Sequence, residues 1–216
     1  KQPVSKWVKK FYAEKNDWAI IEGATALARM GKKPHQNRLL AKLNNIDYTK
    51  ASKDKLLAAI RSYQLAFTRL GKPIPEVADT VISRLNPLYP SKENFVNREL
   101  SQVLLYLNAP GAVSVTVQQM LSATEEQKKL LSDEILERND RYKAATKKME
   151  MFRPNTQQFS LAFSLRSIPE GWSEADRASY FSWFPRAKTW QGGNSFAIFV
   201  ENTRKEALAN VKDEAL

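Results

Sequence analysis

Two stretches of this chain, 40 positions apart, spell nearly the same thing: Ala28-Arg29-Met30-Gly31-Lys32-Lys33-Pro34 and Thr68-Arg69-Leu70-Gly71-Lys72-Pro73. At that offset Ala19 matches Ala59, Ile20 matches Ile60, Ala26 matches Ala66, Arg29 matches Arg69 and Gly31 matches Gly71. A helical pattern precedes each glycine and another follows it. A single helical hairpin cannot bury its apolar face alone, but a neighbour in the same register can cover it. A period in this range is therefore the mark of stacked helical hairpins. The expectation is an all-α fold. Such arrays are scaffolds, and their function lies in the surface they present rather than in the architecture.

Residues 3–13 form an amphipathic pattern, with Val4, Trp7, Val8, Phe11 and Tyr12 at three- and four-residue spacing. Asp17 is placed to cap a helix running to Met30, and Gly31 to end it with a positive φ. Pro34 starts a shorter helix to about Leu43, and a polar linker follows over Asn44–Ser52. The second unit repeats the plan: a helix over Lys53–Leu70, a stop at Gly71, and a Pro75-led helix to Leu85. Asn86, Pro87 and Pro90 then break the chain. A third pair spans Asn94–Leu107 and continues, after Asn108-Ala109-Pro110-Gly111, to Leu121. Residues 124–152 break the period. Thr124 with Gln127 spells a capping box, and Leu131, Ile135, Tyr142, Ala145, Met149 and Phe152 share one helical face. Pro154 restarts a helix through Ser167, Ser173 caps another to Phe184, and a last helix runs from Ser195 to Val211. The best strand candidate, Val113–Val117, sits among helical neighbours. The organisation expected is one domain over 1–216, with regular repeats to 123, an irregular or inserted hairpin at 124–153, and aromatic-rich closing repeats over 154–216.

The 216 residues are 43% hydrophobic, enough for one continuous core or one elongated array. The longest apolar run, Val103–Leu107, is far short of a membrane span. The chain opens at Lys1 without Met or a signal-like segment, which reads as a processed or excised part of a longer protein. With no cysteine, the chain offers no disulfide, thiolate ligand, cysteine nucleophile or Cys-x-x-Cys-His haem attachment. Charge is unevenly placed. Residues 1–75 hold 16 Lys/Arg against 5 Asp/Glu, a net of +11, while residues 76–216 hold 18 of each. A basic first third suits contact with phosphate, an anionic surface or an acidic partner. Scattered rather than clustered lysines equally suit a solvated face.

Arg98, Leu100, Leu104, Leu107, Pro110, Val113, Val117 and Leu121 resemble the HEAT-like repeat, in which an Arg-bearing apolar helix leads through a proline-marked turn to a second apolar helix. Further on, Gly171-Trp172-Ser173, Tyr180-Phe181-Ser182-Trp183-Phe184-Pro185-Arg186-Ala187, Trp190-Gln191-Gly192-Gly193-Asn194-Ser195-Phe196 and Asn202-Thr203-Arg204-Lys205 form a dense aromatic block. This block resembles the closing hairpin of HEAT-like (armadillo-type) segments in large exported bacterial multidomain proteins. Such proteins often also carry a c-type cytochrome domain and a propeller related to sugar dehydrogenases. The resemblance covers 94–212. It implies a right-handed α-α superhelix of about five helical hairpins, a periplasmic or secreted setting, and a linker or docking role. The family's haem and catalytic residues belong to other domains, and no position here matches them.

No catalytic constellation, metal site or cofactor loop is legible. His35 is the lone histidine, and neither Gly-x-x-x-x-Gly-Lys nor Gly-x-Gly-x-x-Gly occurs. The aromatic block reads as an end-cap, with Gly192-Gly193 turning the chain and Asn194 or Ser195 capping the last helix. A free start to that helix beside Arg186, Lys188 and Trp190 would suit an anion. The reading is a non-catalytic scaffold binding protein or neighbouring domains, with no cofactor. Its candidate surface is lined by Arg38, Lys42, Arg84 and Gln118 on second helices, with Arg186 and Trp190 at the end block. The alternative is a nucleic-acid-binding module using residues 1–75. A HEAT-like DNA glycosylase, with Trp183, Arg186 and Trp190 as its box, is the remote third, since the basic third lies elsewhere in the chain.

Overall fold

The computed structural model describes residues 2–124, 143, 144, 146 and 151–211, and every regular element among them is helical. No described helix is long and apolar enough to cross a membrane. The chain divides into two compact units, Lys1–Ala109 and Pro110–Leu216. The third expected pair, 94–107 with 112–121, falls on the two sides of that division.

The first unit contains α1 (Val8–Ala13), α2 (Asp17–Met30), α3 (Gln36–Asn44), α4 (Lys53–Leu70), α5 (Pro75–Leu85) and α6 (Asn94–Tyr106). Helices of like position in the 40-residue period pack on one another: α2 on α4, α4 on α6, and α3 on α5, with α3 also against α2 and α4. The seam is made of small and branched residues that let the backbones approach. Ala24 and Leu27 on α2 and Ala59, Ile60 and Ala66 on α4 are fully buried, as are Leu39, Leu40 and Leu43 on α3 and Val81 and Leu85 on α5. Each large apolar side chain so buried contributes about 1.5–3 kcal/mol. Ala26 stays half-buried where its counterpart Ala66 is enclosed. The reason is that α4 lies between two long helices, whereas the other flank of α2 carries the 6-residue α1.

Local chemistry fixes the ends. Asn16, not Asp17, caps α2: its Oδ1 accepts from Ala19 N at 3.1 Å. The Asp17 carboxylate instead pairs with the Lys55 ammonium on α4. Ser52 caps α4, accepting from Lys55 N at 3.3 Å, and Pro75 occupies the first turn of α5. The two repeat glycines end their helices differently. Gly71 has φ 87°, whereas Gly31 has φ −80°, so the expected positive φ is absent at Gly31. There the constraint is space, because a Cβ would lie 2.5 Å from the Leu27 carbonyl oxygen.

The second unit contains α7 (Ala112–Ser122), α8 (Thr156–Leu165), α9 (Glu174–Ala187) and α10 (Phe196–Ala209). α7 packs on α8 and α9, and α10 on α8 and α9. Val113–Val117 lies inside α7 and is helical. Asn155 caps α8, accepting from Gln158 N at 2.9 Å, while Asn155 Nδ2 and Gln158 Nε2 donate to the Ala123 carbonyl at 2.8 and 2.9 Å. Ser173 caps α9 as its sequence position suggests. The expected end of that helix at Phe184 is overrun to Ala187, with Pro185 inside the last turn. Burial of Phe184 and Ala187 holds the final turn in place despite the missing N–H. Ser195 sits at the start of α10 but makes no side-chain cap. Of the expected capping box only Thr124 is described; Gln127 and the stripe Leu131, Ile135, Tyr142, Ala145 and Met149 lie outside the described residues.

Candidate functional site

Three of the candidate surface residues share the layer formed by α3 and α5 in the first unit. Arg38 is exposed on α3, its guanidinium 3.9 Å above the Tyr12 ring. The Tyr12 hydroxyl is 2.9 Å from His35 Nδ1, which accounts for the lone histidine. Burial raises the Tyr12 phenol, and Arg38 partly offsets this. Lys42, four positions on, is half-buried and donates to the Glu14 carbonyl oxygen. Arg84 is exposed on α5. Beneath this layer lies a closed polar network. Tyr63 donates to Asn44 Oδ1 at 2.7 Å and Tyr48 to the Leu43 carbonyl at 2.9 Å. Burial holds both phenols well above their usual range.

Part of the basic charge is used inside the fold. Lys33 Nζ donates to the Lys72 carbonyl and to Gln36 Oε1, each at 2.6 Å, and the wholly buried Gln36 donates to the Gly71 carbonyl. These bonds satisfy carbonyls beyond the last turn of α4, where the helix itself supplies no donors. With Lys42 on Glu14 and Lys55 on Asp17, three lysines of the basic third serve as cross-links between elements.

The other three candidates belong to the second unit. Gln118 is exposed on α7, and Arg186 is exposed in the last turn of α9. Trp190 is half-buried and meets Trp183 edge-on, with centroids 5.6 Å apart at 78°. Trp183 itself is 4% exposed and donates its indole N–H to Gln158 Oε1 at 2.9 Å. Phe159, Phe184 and Phe196 complete the cluster around the two indoles. Lys188, expected beside an anion at the start of α10, pairs with Glu201 at 2.5 Å. Glu201 also takes Arg204 at 2.8 Å. Hydrogen bonds from Arg204 and Lys188 pull the Glu201 carboxyl down to about 2. Of the two cations expected beside an external anion, Lys188 is thus committed to an internal one.

One concave feature was not anticipated. A groove of about 210 Å³ lies between α4 and α6, lined by Arg61, Gln64, Phe67, Thr68, Gln102, Val103 and Tyr106. Phe67 and Tyr106 stack at 5.6 Å and 20°, and Tyr106 remains 42% exposed. Lys72 Nζ stands 6.0 Å from the Tyr106 ring centre. The sequence held a signal for it, since Leu27, Phe67 and Tyr106 follow one another at intervals of 40 and 39, one large residue per repeat at one register.

Among the described residues no group of three His, Cys, Asp or Glu side chains is placed to hold a metal ion. In comparisons with protein-family models, with curated proteins and with solved structures, nothing matches this chain.

Proposed function

We propose that this chain is a non-catalytic helical-repeat scaffold, HEAT-like in plan, that holds a protein partner or a neighbouring domain through its exposed side chains. The observation that carries the reading is the packing order of the first unit. First helices contact first helices and second helices contact second helices, at the 40-residue period of the sequence. That is the arrangement from which stacked-hairpin arrays grow, and such arrays bind through extended faces rather than pockets. Arg38 and Arg84 on the α3–α5 layer are the side chains best placed to meet a partner.

The nucleic-acid alternative rests on the +11 of residues 1–75. It loses support from Lys33, Lys42 and Lys55, which spend their donors inside the unit. A phosphate-tracking surface needs free, closely spaced cations.

Photocrosslinking from Arg38 and Arg84, each replaced in turn by a photoreactive residue in the source cell, tests the proposal. Discrete protein adducts from both positions support it. Adducts to nucleic acid alone would replace it with the alternative.

A further inference from the structure

The α4–α6 groove has walls of distinct chemistry. Its floor is aromatic: Phe67 is buried, and the Tyr106 ring stacked on it leaves part of its surface open to solvent. Two cations flank this floor: Arg61 lines the groove, and Lys72 Nζ stands 6.0 Å from the Tyr106 ring centre. Arg61 sits about two and a half turns before the end of α4, and Lys72 lies two residues past that end. Among the described residues neither cation pairs with a carboxylate. Arg61 reaches only Gln64, at 3.5 Å. Thr68 and Gln102 also line the groove, both exposed, and neither side chain has a hydrogen-bond partner among the described residues.

Each of these features selects an occupant. A primary amide offers one acceptor and two donors, the complement of a peptide group. A ring with an exposed face favours a second ring, at about 0.5–1.5 kcal/mol beyond the area buried. Two nearby unpaired cations favour carboxylates flanking that ring. A single-stranded nucleic acid fits less well. Its backbone needs a continuous cationic track, whereas here only Arg61 and Lys72 stand near the ring, and Gln64, which lines the groove, is held by the Glu99 carboxylate at 2.6 Å. The first unit is basic overall, with 19 Lys/Arg against 9 Asp/Glu over residues 1–109, which suits an acidic occupant.

We propose that the α4–α6 groove docks an acidic peptide segment that lays one aromatic side chain on Tyr106, with carboxylates reaching Arg61 and Lys72. This deepens the scaffold reading and rests on it, since it names the chemistry of the partner.

The test is calorimetric titration of the full chain with a capped pentapeptide, a central Trp flanked by two Glu on each side. Saturable binding is expected, weakened at least tenfold by Arg61→Glu and by Tyr106→Ala. Tyr106→Phe keeps the ring and should keep the affinity, and Arg29→Glu on the exposed face of α2 should change nothing. Because Tyr106→Ala also removes a ring from Phe67, Arg61→Glu at a solvent-exposed position carries the test if that variant unfolds. Absence of saturable binding would overturn the proposal, as would equal binding by Arg61→Glu and the parent. So would displacement of the peptide by an equal concentration of oligo-dT. If the peptide fails while Arg38 and Arg84 still crosslink to protein, the groove assignment falls and the scaffold reading stands. If those crosslinks also fail, the scaffold reading falls with it.

Discussion

Trp183 ties much of the aromatic block together, since it stacks on Phe159, meets Phe184 and Trp190 edge-on, and satisfies Gln158. Replacing it with Ala removes a large buried aromatic and leaves the buried Gln158 carbonyl without its indole donor. A loss of roughly 3–5 kcal/mol follows, read as a lower midpoint in urea; a midpoint within error of the parent would remove the end-cap role given to this block. Glu201 makes a pH prediction whose sign is set by its depressed carboxyl. Its folded value of about 2 lies below the ordinary 4.5, so its stabilisation is present above 4.5 and is lost as pH falls toward 2. Thermal melts from pH 6 to pH 2 should show Glu201→Gln less acid-sensitive than the parent, and parallel curves would contradict this. In the first unit, Gln36→Ala removes the buried amide that joins Lys33 to the end of α4. It should cost about 1–3 kcal/mol through unsatisfied polar groups. An unchanged unfolding midpoint would show that water replaces the amide without loss.

At the scale of elements, the two repeat glycines look alike in sequence and are required for different reasons. Gly71→Ala forces a side chain into a backbone region open essentially to glycine alone, at a cost of about 1–3 kcal/mol. Gly31→Ala has an ordinary φ but drives its Cβ into the Leu27 carbonyl, so the end of α2 must shift. Both variants should melt below the parent. A D-alanine at 71, introduced by ligation, should restore stability, whereas a D-alanine at 31 should not. Failure of that contrast would mean the two turns are equivalent after all. The same contrast marks how far the sequence can be read. Glycine and proline punctuation marked where α2 and α4 end and where α5 begins, because those signals act directly on the local backbone. Choices between neighbours were less legible. Asn16 and Asp17 are both good caps, and the helix takes Asn16 because Lys55, remote in sequence, engages Asp17. Pro185 looks like a stop, yet burial of Ala187 carries the turn past it. Arg38, Lys42 and Arg84 could be placed on second helices from periodicity alone. That Lys42 is tied to Glu14 while Arg38 lies over Tyr12 depends on where α1 packs, which no local pattern encodes.

For the whole molecule, the charge of the first third and the repeat make separate forecasts. With Lys33, Lys42 and Lys55 committed internally, duplex DNA should bind weakly, and charge reversal at Lys32 and Arg38 should change little at physiological salt. Sub-micromolar, steeply salt-dependent binding would instead require several freely released counterions and would favour the nucleic-acid reading. Consecutive 40-residue units stack through helices of like position, and this packing holds the first unit together. The absence of cysteine makes it directly testable, because any introduced pair stands on a clean background. Thr25 on α2 and Ser62 on α4 have hydroxyl oxygens 2.8 Å apart across that seam. Their β-carbons are therefore near enough for a disulfide to close with at most a small shift of the two helices. The measurement is thiol titration and non-reducing mass analysis of the Thr25→Cys/Ser62→Cys double variant after mild oxidation. Stacked repeats predict a monomer that loses both thiols in one intramolecular bond, with its helical circular dichroism retained. A folded double variant that keeps both thiols free, or forms only intermolecular links, would contradict the account.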